Sequence, residues 1–404
     1  MRTRYRVALT IVVIAAASGR VHAQERTEQE IVEAVVRAGP RAQAIRAATE
    51  VVALEQAARR VFPNPAATYS REGAGFTEFF QVDQSLPAFG LRQALERAGV
   101  AAGEAAEAER DGRLWQLRSD AHDAVARLRA SHERLQAARS LVGLVEGLIG
   151  VLTTREREGE GSRFDRLRAQ QELVDAQQIV VTASVEHSNA RSELAALLPR
   201  GAVVPETVSP RPHAPLADSV DTLVTRATTG RAELRVLQAT ARQLSLEAVV
   251  ARRATGLAPT FTAGLKRADD AGEARAGAVV GVGMAVPLFN RGRRAAARWE
   301  AERTRTEFER ASVEADIRAQ IARAADALAI RRQHAPGVGA AVTSAGELIG
   351  IADVAYREGE IGILQLVDAY RTAARARERA VDTNLNLSLA EIALERAVGV
   401  SLWP

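Results

Sequence analysis

The sequence predicts a mainly α-helical protein with a small β part, in which a unit of helix, β-hairpin, long helix and helix occurs twice. Three observations support this fold class. Two stretches of about 66 residues are rich in Ala, Glu and Arg, and no globular core requires a helix that long. Each long stretch follows segments of period-two alternation, which is the strand pattern. Short sequence markers also recur at one spacing through most of the chain.

The repeat is visible at two places. Residues 86–92, Leu-Pro-Ala-Phe-Gly-Leu-Arg, match residues 286–292, Val-Pro-Leu-Phe-Asn-Arg-Gly. The Arg-Glu-Gly-Glu run at residues 157–160 occurs again at residues 357–360. Two markers at the same spacing predict an internal duplication. The predicted divisions are a signal peptide at residues 1–23, a first repeat at 24–200, a Pro-rich linker at 201–217 and a second repeat at 218–404.

The N-terminus has the layout of a secretory signal peptide. Arginines come first, an apolar run covers residues 7–17, and Val-His-Ala precedes the predicted mature start at Gln24. The chain has no cysteine, which excludes a disulfide framework and a lipid anchor on cysteine. Removal of the signal lowers the net charge from +4 to about 0, because the signal carries four arginines and no acid. The remaining basic charge is dispersed along the chain, so no nucleic-acid partner is expected.

In the first repeat, residues 25–60 are predicted to form one helix, which Pro63 and Pro65 end. Residues 66–86 predict a hairpin with its turn at residues 71–75, because the second limb alternates apolar and polar side chains. The remaining predicted elements are a long helix from Leu91 to Arg157, a turn at residues 159–162 and a shorter helix to Leu198. The long helix has apolar residues at 3-and-4 spacing, which is typical of coiled-coil packing. They are Leu128, Leu135, Ala138, Val142, Val145, Ile149 and Leu152.

The second repeat follows the same plan. Its predicted elements are a helix at residues 219–254, strands at about 259–286 with a turn at 269–273, a long helix from Arg293 to Tyr356, and a last helix from about Ile363 to Gly399. Pro336 is expected to kink or break the long helix. The last strand carries its large apolar side chains on one face, at Ala278, Val280, Val282, Met284 and Val286.

Four strands per chain are too few for a closed membrane barrel, which needs at least about eight. An open sheet would leave unpaired edges in lipid, which is costly. A membrane barrel must therefore be shared between chains. No stretch after the signal is expected to be a membrane helix, because spanning takes about 20 apolar residues, and residues 276–289 are shorter and contain Gly and Pro.

The sequence resembles the TolC-type outer-membrane efflux proteins over residues 25–404. The most specific parts are residues 286–292, residues 356–361 and the Leu-Val-Asp-Ala run at residues 366–369. The resemblance implies a homotrimer in the outer membrane of a Gram-negative bacterium, with a shared 12-stranded β-barrel in the lipid and a coiled-coil α-barrel across the periplasm. It also implies docking on a periplasmic adaptor and an inner-membrane pump, passive conduction of the cargo, and no cofactor or metal.

The resemblance further implies three sets of site residues. The periplasmic gate is expected at Asp165, Tyr356, Gln365 and Asp368. The adaptor-docking tips are expected at Arg157, Gly159, Glu160, Arg357, Gly359 and Glu360. The barrel-to-helix junctions are expected at Pro87, Phe89, Pro287, Phe289, Asn290 and Gly292. The chain departs from the best-known family pattern at Gln365 and Ile361, where an acid and an arginine would stand, so a tight salt-bridged lock is not implied.

The sequence contains no complete enzyme motif among those considered. His132-Glu133 begins a zinc-protease motif, but Gln136 occupies the position of the second histidine. The glycines at 281 and 283 precede Pro287 rather than a dinucleotide-binding helix start. The alternative to an exit duct is a periplasmic coiled-coil scaffold without a membrane part. The cargo stays open among drugs, metal ions, and peptides or proteins.

Overall fold

The structure, a computed structural model, describes residues 27–73, 77–209, 218–270 and 273–403. The predicted signal peptide and three of the linker prolines lie outside the described residues. The described elements are α1 (Glu28–Ala38), α2 (Pro40–Ala58), β1 (Ala66–Glu72), β2 (Thr77–Ser85), α3 (Leu91–Glu158), α4 (Arg163–Leu197), α5 (Val220–Gly230), α6 (Ala232–Ala254), β3 (Ala258–Asp270), β4 (Glu273–Ala285), α7 (Arg293–Arg357) and α8 (Ile363–Val398). The predicted fold class is confirmed.

The short helical segment before each hairpin is interrupted once, which corrects the prediction of a single helix at residues 25–60 and 219–254. The first break lies at Gly39, just before Pro40 opens α2. A Cβ on Gly39 would lie 2.6 Å from the carbonyl oxygen of Leu197, so the end of α4 packs directly on the glycine. The second break lies at Arg231, whose guanidinium donates to the carbonyl of Ala397 near the end of α8 (3.3 Å). Both breaks therefore lie where the returning helix ends.

The four strands form one antiparallel sheet in the order β1-β2-β3-β4. In its register Tyr69 lies opposite Phe80, Phe80 opposite Leu265, and Leu265 opposite Ala278. The two sequence hairpins are thus joined by pairing of β2 with β3. This register confirms both predicted hairpins and makes them one surface, but the turn predicted at residues 269–273 is too long, because Asp269 and Asp270 still pair with β4.

The turn predicted at residues 71–75 starts too early, because Arg71 and Glu72 still pair with β2. These two residues are charged, and charged side chains are tolerated on an edge strand that faces solvent. Residues 74–76 of this turn lie outside the described residues.

The two long helices, α3 with 68 residues and α7 with 65, end within one residue of their predicted C-termini. Each is roughly 100 Å long at 1.5 Å per residue. A break at Pro336 is a wrong prediction, because α7 continues through that residue. The neighbouring Ala335 packs against a buried core, and such tertiary packing offsets the missing backbone hydrogen bond.

Both long helices contain an 18-residue window that is long and apolar enough to cross a membrane by length and composition alone. Core helices of soluble proteins pass the same test, so the expectation that no membrane helix follows the signal stays a prediction. One third of the window in α3 is buried inside the chain, compared with 6% in α7.

The helices form one layer of four rods. α3 packs on α1, α2 and α4, and also on α6 and α8. α7 packs on α5, α6 and α8. α6 and α8 therefore lie between the two long helices, and the layer ends with α2 and α4 at one edge and α7 at the other.

Two buried cores lie at corresponding positions in the two halves. Residues that are 200 positions apart occupy equivalent places in them. The pairs are Leu117 and Ile317, Ala121 and Ile321, Leu128 and Leu328, Ala190 and Ala390, and Leu194 and Leu394. A third core joins the two helical hairpins near their turns and contains Leu148, Leu152, Ala169, Tyr356, Ile363 and Leu366. The division of the chain into repeats remains a prediction.

The first part of the predicted linker packs on the protein. Val208 is buried in the first core, and Ala202 and Val204 pack against it. The prolines prevent regular structure there without preventing burial. Residues 210–217 lie outside the described residues.

Candidate functional site

The sheet is amphipathic across all four strands. Residues directly opposite on neighbouring strands share a face, so the register sorts the side chains into two sets. One face carries Ala67, Tyr69, Phe80, Val82, Phe261, Ala263, Leu265, Ala278, Val280, Val282 and Met284. The other carries mainly small and polar residues together with two large apolar ones: Thr68, Phe79, Gln81, Asp83, Thr260, Thr262, Gly264, Gly277, Val279, Gly281 and Gly283. Val280 is 84% exposed in the single chain, so the apolar face is uncovered. The apolar face predicted for the last strand is confirmed.

Both the sheet and the helical layer have two open edges. β1 and β4 each pair with one neighbour only. The α7 edge carries exposed apolar side chains at Phe308, Ile330 and Ile351, and α4 carries Phe164 and Val174. Unpaired strand edges and exposed apolar helix faces are sites of association with further chains.

The predicted junction residues join the sheet to the long helices. Pro87 and Phe89 lie between β2 and α3, and the Phe89 amide donates to the carbonyl of Leu257 (3.3 Å). Pro287 and Phe289 lie between β4 and α7, and Phe289 is fully exposed. Asn290 and Gly292 lie in the same segment, just before α7.

The second junction is two residues longer than the first. α3 begins after Gly90 and α7 after Gly292, both in the left-handed region with φ of 74° and 71°. The structural equivalent of Gly90 is therefore Gly292, whereas the spacing of 200 would select Asn290. The Asn290 side-chain oxygen instead accepts a hydrogen bond from the Gly292 amide (3.0 Å). This bond stabilises the longer turn.

The predicted tip residues lie at the turns of the two helical hairpins, and both turns have the same local structure. Gly159 and Gly359 adopt φ of 82° and 78°. The amide of Glu160 donates to the carbonyl of Arg155 (3.0 Å), and the amide of Glu360 donates to that of Ala355 (2.8 Å). This is the Schellman arrangement that ends a helix at a glycine. Arg157 and Arg357, the residues that precede these caps by two, are exposed.

The two tips are in contact. The Arg155 guanidinium donates to the carbonyl of Arg357 (3.2 Å) and lies 5.8 Å from the centre of the Tyr356 ring. Within the first tip, Arg166 forms an ion pair with Glu156, and this bond lowers the pKa of Glu156. Sequence reasoning missed both contacts, because each joins residues from different helices.

The predicted gate residues are partly brought together. Tyr356 is buried, and its pKa is raised by burial and by the negative charge of Asp165, against the opposing effect of Arg155. Asp368 is exposed on α8, one turn from Arg371. The hydrogen bond with Glu172 is the main cause that raises the pKa of Arg371, and the charge of Asp368 makes a smaller contribution. Gln365 is a helix-capping residue, because its side-chain oxygen accepts a hydrogen bond from the Gly362 amide (2.8 Å) at the start of α8.

Comparison with known proteins finds solved structures with this architecture. No family model matches the chain, and no curated protein matches its sequence. A solved membrane protein from Pseudomonas aeruginosa is similar over 92% of this chain and 93% of its own, with 18% identity and a TM-score of 0.74. The outer-membrane channel OprN is similar over 93% and 91%, with 18% identity and a TM-score of 0.71. The CmeC outer-membrane channel of Campylobacter jejuni is similar over 92% and 85%, with 12% identity and a TM-score of 0.75.

The chain has the TolC-type fold. Coverage above 90% of this chain includes both the helical layer and the sheet. The named neighbours are channels, and none is described as an enzyme. Within the described residues, no group of three or more potential ligands is arranged to hold a metal ion.

In this TolC-type fold, three sets of ion pairs join the first helical hairpin to the second, and one of them is that of Arg396 on α8 with Asp120 and Asp123 on α3. Nearer the tips, the guanidinium of Arg371 on α8 donates to both carboxylate oxygens of Glu172 on α4. Glu172 is only 3% exposed. Farther from the tips, Arg134 on α3 pairs with Asp382 on α8. These pairs could not be predicted from the sequence, since their members are far apart along the chain.

Proposed function

We propose that this protein is the passive outer-membrane exit duct of a tripartite efflux or secretion system and acts as a homotrimer. One observation carries the proposal: a sheet with one exposed apolar face and two open edges continues directly into a helical layer with two open edges. Three copies of the four-stranded sheet would close a barrel of twelve strands. The apolar face would then contact lipid, and the face with Thr, Asp and Gly residues would line an aqueous passage.

The apolar face covers most of the height that a membrane barrel requires. From Ala278 to Val286 it extends over eight residue steps, or about 26 Å along the strand at 3.3 Å per step. With barrel strands tilted by about 40°, this length corresponds to about 20 Å along the membrane normal, compared with an apolar band of about 25 Å in outer-membrane barrels. A periplasmic scaffold without a membrane part is the second candidate. It would expose this face to water, which soluble proteins avoid for patches of this size. The exit duct in the outer membrane is therefore the better explanation.

The helical layer supports the remaining parts of the proposal. Its tips lie at the end opposite the sheet, because α3 and α7 each run from a strand to a tip over roughly 100 Å. We assign docking on a periplasmic adaptor, and through it on an inner-membrane pump, to the surface formed by Arg157, Gly159, Glu160, Arg357, Gly359 and Glu360. We assign the gate to Asp165, Tyr356 and Asp368, with Gln365 in support through its cap on α8.

Cysteine crosslinking tests the closure of the barrel, because the natural chain has no cysteine. Ala67 of β1 is replaced by Cys together with Ala278, Val280 or Val282 of β4, which share its face. Within one chain two strands separate these positions, so a disulfide can form only between chains. Cells carrying one of these pairs should yield covalent dimers and trimers in the outer-membrane fraction.

Cysteines at Ala67 and Ala263 serve as the control. Ala263 lies on β3, which is paired on both sides, so it should give no crosslinked species. A protein recovered as a soluble periplasmic monomer would refute the exit-duct proposal and favour the scaffold.

A further inference from the structure

Four separate segments of the chain cross between the helical layer and the sheet, and all of them are basic. They are residues 57–62, 86–95, 248–257 and 286–299. Together they contain nine arginines and no aspartate or glutamate. At the other end of the sheet, residues 71–78 and 266–275 contain four basic and five acidic residues. The net positive charge is therefore confined to the end of the sheet that meets the helices.

The four crossings form one continuous surface. The guanidinium of Arg92 lies 4.8 Å from the centre of the Phe62 ring, which joins the first crossing to the second. The Phe89 amide donates to the carbonyl of Leu257, which joins the second to the third. A Cβ on Gly292 would lie 2.3 Å from the carbonyl oxygen of Ala251, so the fourth packs on the third.

Two of the nine arginines form ion pairs, Arg59 with Glu247 and Arg252 with Glu300. Two others lie over aromatic rings, Arg298 over that of its neighbour Trp299 and Arg92 over that of Phe62. Apart from Arg298, six arginines are exposed and form no ion pair within the described part of the chain. They are Arg60, Arg92, Arg253, Arg291, Arg293 and Arg294, and we call them the arginine belt.

Exposed apolar side chains alternate with the arginine belt. Val61 and Phe62 follow Arg60, Phe89 precedes Arg92, and Leu288 and Phe289 precede Arg291. Phe289 is fully exposed and Val61 is 72% exposed. Aromatic and long basic side chains together are the composition of a protein surface at the boundary between lipid chains and headgroups.

We propose that the arginine belt binds the phosphate groups of anionic phospholipids in the membrane leaflet that faces the helical layer. The proposal rests on the proposed function, because that function places the sheet in a membrane. Guanidinium groups bind phosphate in a bidentate manner, and the belt arginines form no ion pair with an acid in the described part of the chain. The uncovered phenylalanine and aliphatic side chains contact the first carbons of the acyl chains.

The protein surface contains one crevice of a size that can hold a lipid headgroup. A crevice of about 300 Å³ is lined by Ala57, Arg60, Val61, Arg92 and Glu96. Two belt arginines line it from different crossings, so a single phosphate can bridge α2 and α3. Glu96 lies on the helical side of the crevice, one turn along α3 from Arg92, and favours a headgroup that also carries a hydroxyl donor, such as glycerol.

Lipid binding by the purified full-length protein tests the proposal. Dissociation constants are measured in neutral detergent for fluorescent phosphatidylglycerol and phosphatidylethanolamine, at low and at high salt. The wild-type protein should prefer phosphatidylglycerol, and salt should weaken this preference. In the variant R60Q/R92Q the phosphatidylglycerol affinity should fall about 25-fold, because each arginine near an anionic surface contributes roughly fivefold. R291Q/R294Q should also bind more weakly, whereas R267Q/R275Q at the other end of the sheet should bind like wild type.

Three results would each overturn the assignment. The first is equal phosphatidylglycerol affinity in wild type, R60Q/R92Q and R291Q/R294Q, which would leave the belt to an acidic protein partner. The second is an equal loss in R267Q/R275Q. The third is displacement of the lipid by glycerol phosphate at the same concentration as by phosphatidylglycerol, since the apolar contacts would then contribute nothing. Failure of the wild-type protein to insert into vesicles of either lipid would instead refute the exit duct.

Discussion

Replacement of Gly359 should loosen the second tip without unfolding the protein. Gly359 has φ of 78°, and an added Cβ would meet no atom within 4 Å. The cost of Gly359→Ala is therefore backbone strain alone, about 1–2 kcal/mol for a residue with a Cβ in the left-handed region. Gly359→Val should cost more because of its branched side chain, whereas Gly359→Asn should cost least, because Asn tolerates this conformation.

Amide hydrogen exchange measures this cost at the tip. The Glu360 amide, which donates to the carbonyl of Ala355, should exchange roughly 5–30 times faster in Gly359→Ala than in the wild type, as 1–2 kcal/mol implies. Gly350 is the matched control, since it is exposed, lies inside α7 and also has open space around a Cβ. Gly350→Ala should stabilise by about 0.5–1 kcal/mol. The strain argument would be refuted if Gly359→Ala and Gly350→Ala changed the stability in the same direction. With the tip loosened, Gly359→Val should reduce export while the protein still reaches the outer membrane.

The remaining predictions concern the ion pairs, the buried histidine and the gate. Arg371→Met should destabilise the protein by about 3 kcal/mol in chemical unfolding, because Glu172 stays buried without its partner. The double variant Arg371→Met with Glu172→Gln should recover most of the lost stability. If it recovers none, the two residues are not energetically coupled. Burial, aided by the nearby His132, lowers the pKa of His187 below 6.5, so the folded state binds fewer protons than the unfolded state and stability should fall as pH drops below about 6.5. His187→Gln should remove that part of the pH dependence, and an unchanged profile would assign it to other groups. Asp165→Asn together with Asp368→Asn should reduce cation preference and divalent-cation block in planar-bilayer recordings, because each carboxylate occurs three times in the proposed trimer. If this variant keeps the selectivity of the wild type, the constriction lies elsewhere in the channel.

The long helices and hairpins could be predicted from the sequence because their signals are local. Period-two alternation identified the apolar face of β4, and the glycine of each Arg-Glu-Gly-Glu run identified a helix end. The break at Gly39 also had a local signal that was overlooked, since a glycine followed by a proline is a common way to begin a helix. Pro336 shows the opposite case. Its local signal for a break was overridden by packing of the surrounding helix.

Contacts between distant residues had no signal in the sequence. Glu172 and Arg371 look like two of many solvated helix charges until α4 and α8 are placed side by side. Gln365 was selected as a departure from a family pattern, and the structure shows a local reason for a glutamine there, namely the cap on Gly362. Which charges meet depends on the rotation of each helix about its axis, and composition does not specify that rotation.

The arginine belt is the strongest case of information that emerges only from the fold. Along the sequence, its six residues are spread over more than half of the chain, and the basic charge therefore looked dispersed. The sheet order brings their four segments to one end of the sheet, while the acidic residues of the strands lie at the opposite end or, for Asp83, on the face that carries the Thr and Gly residues. A chain whose net charge is about 0 without its predicted signal peptide can thus have a strongly basic ring, because it passes the same end of the sheet four times. In the proposed trimer the ring would contain 18 unpaired arginines, three times the six of one chain, at the height where the apolar band ends. Such a ring would fix the depth of the barrel in the membrane, because moving it toward the lipid chains would desolvate guanidinium groups and moving it away would expose Phe289 and Val286.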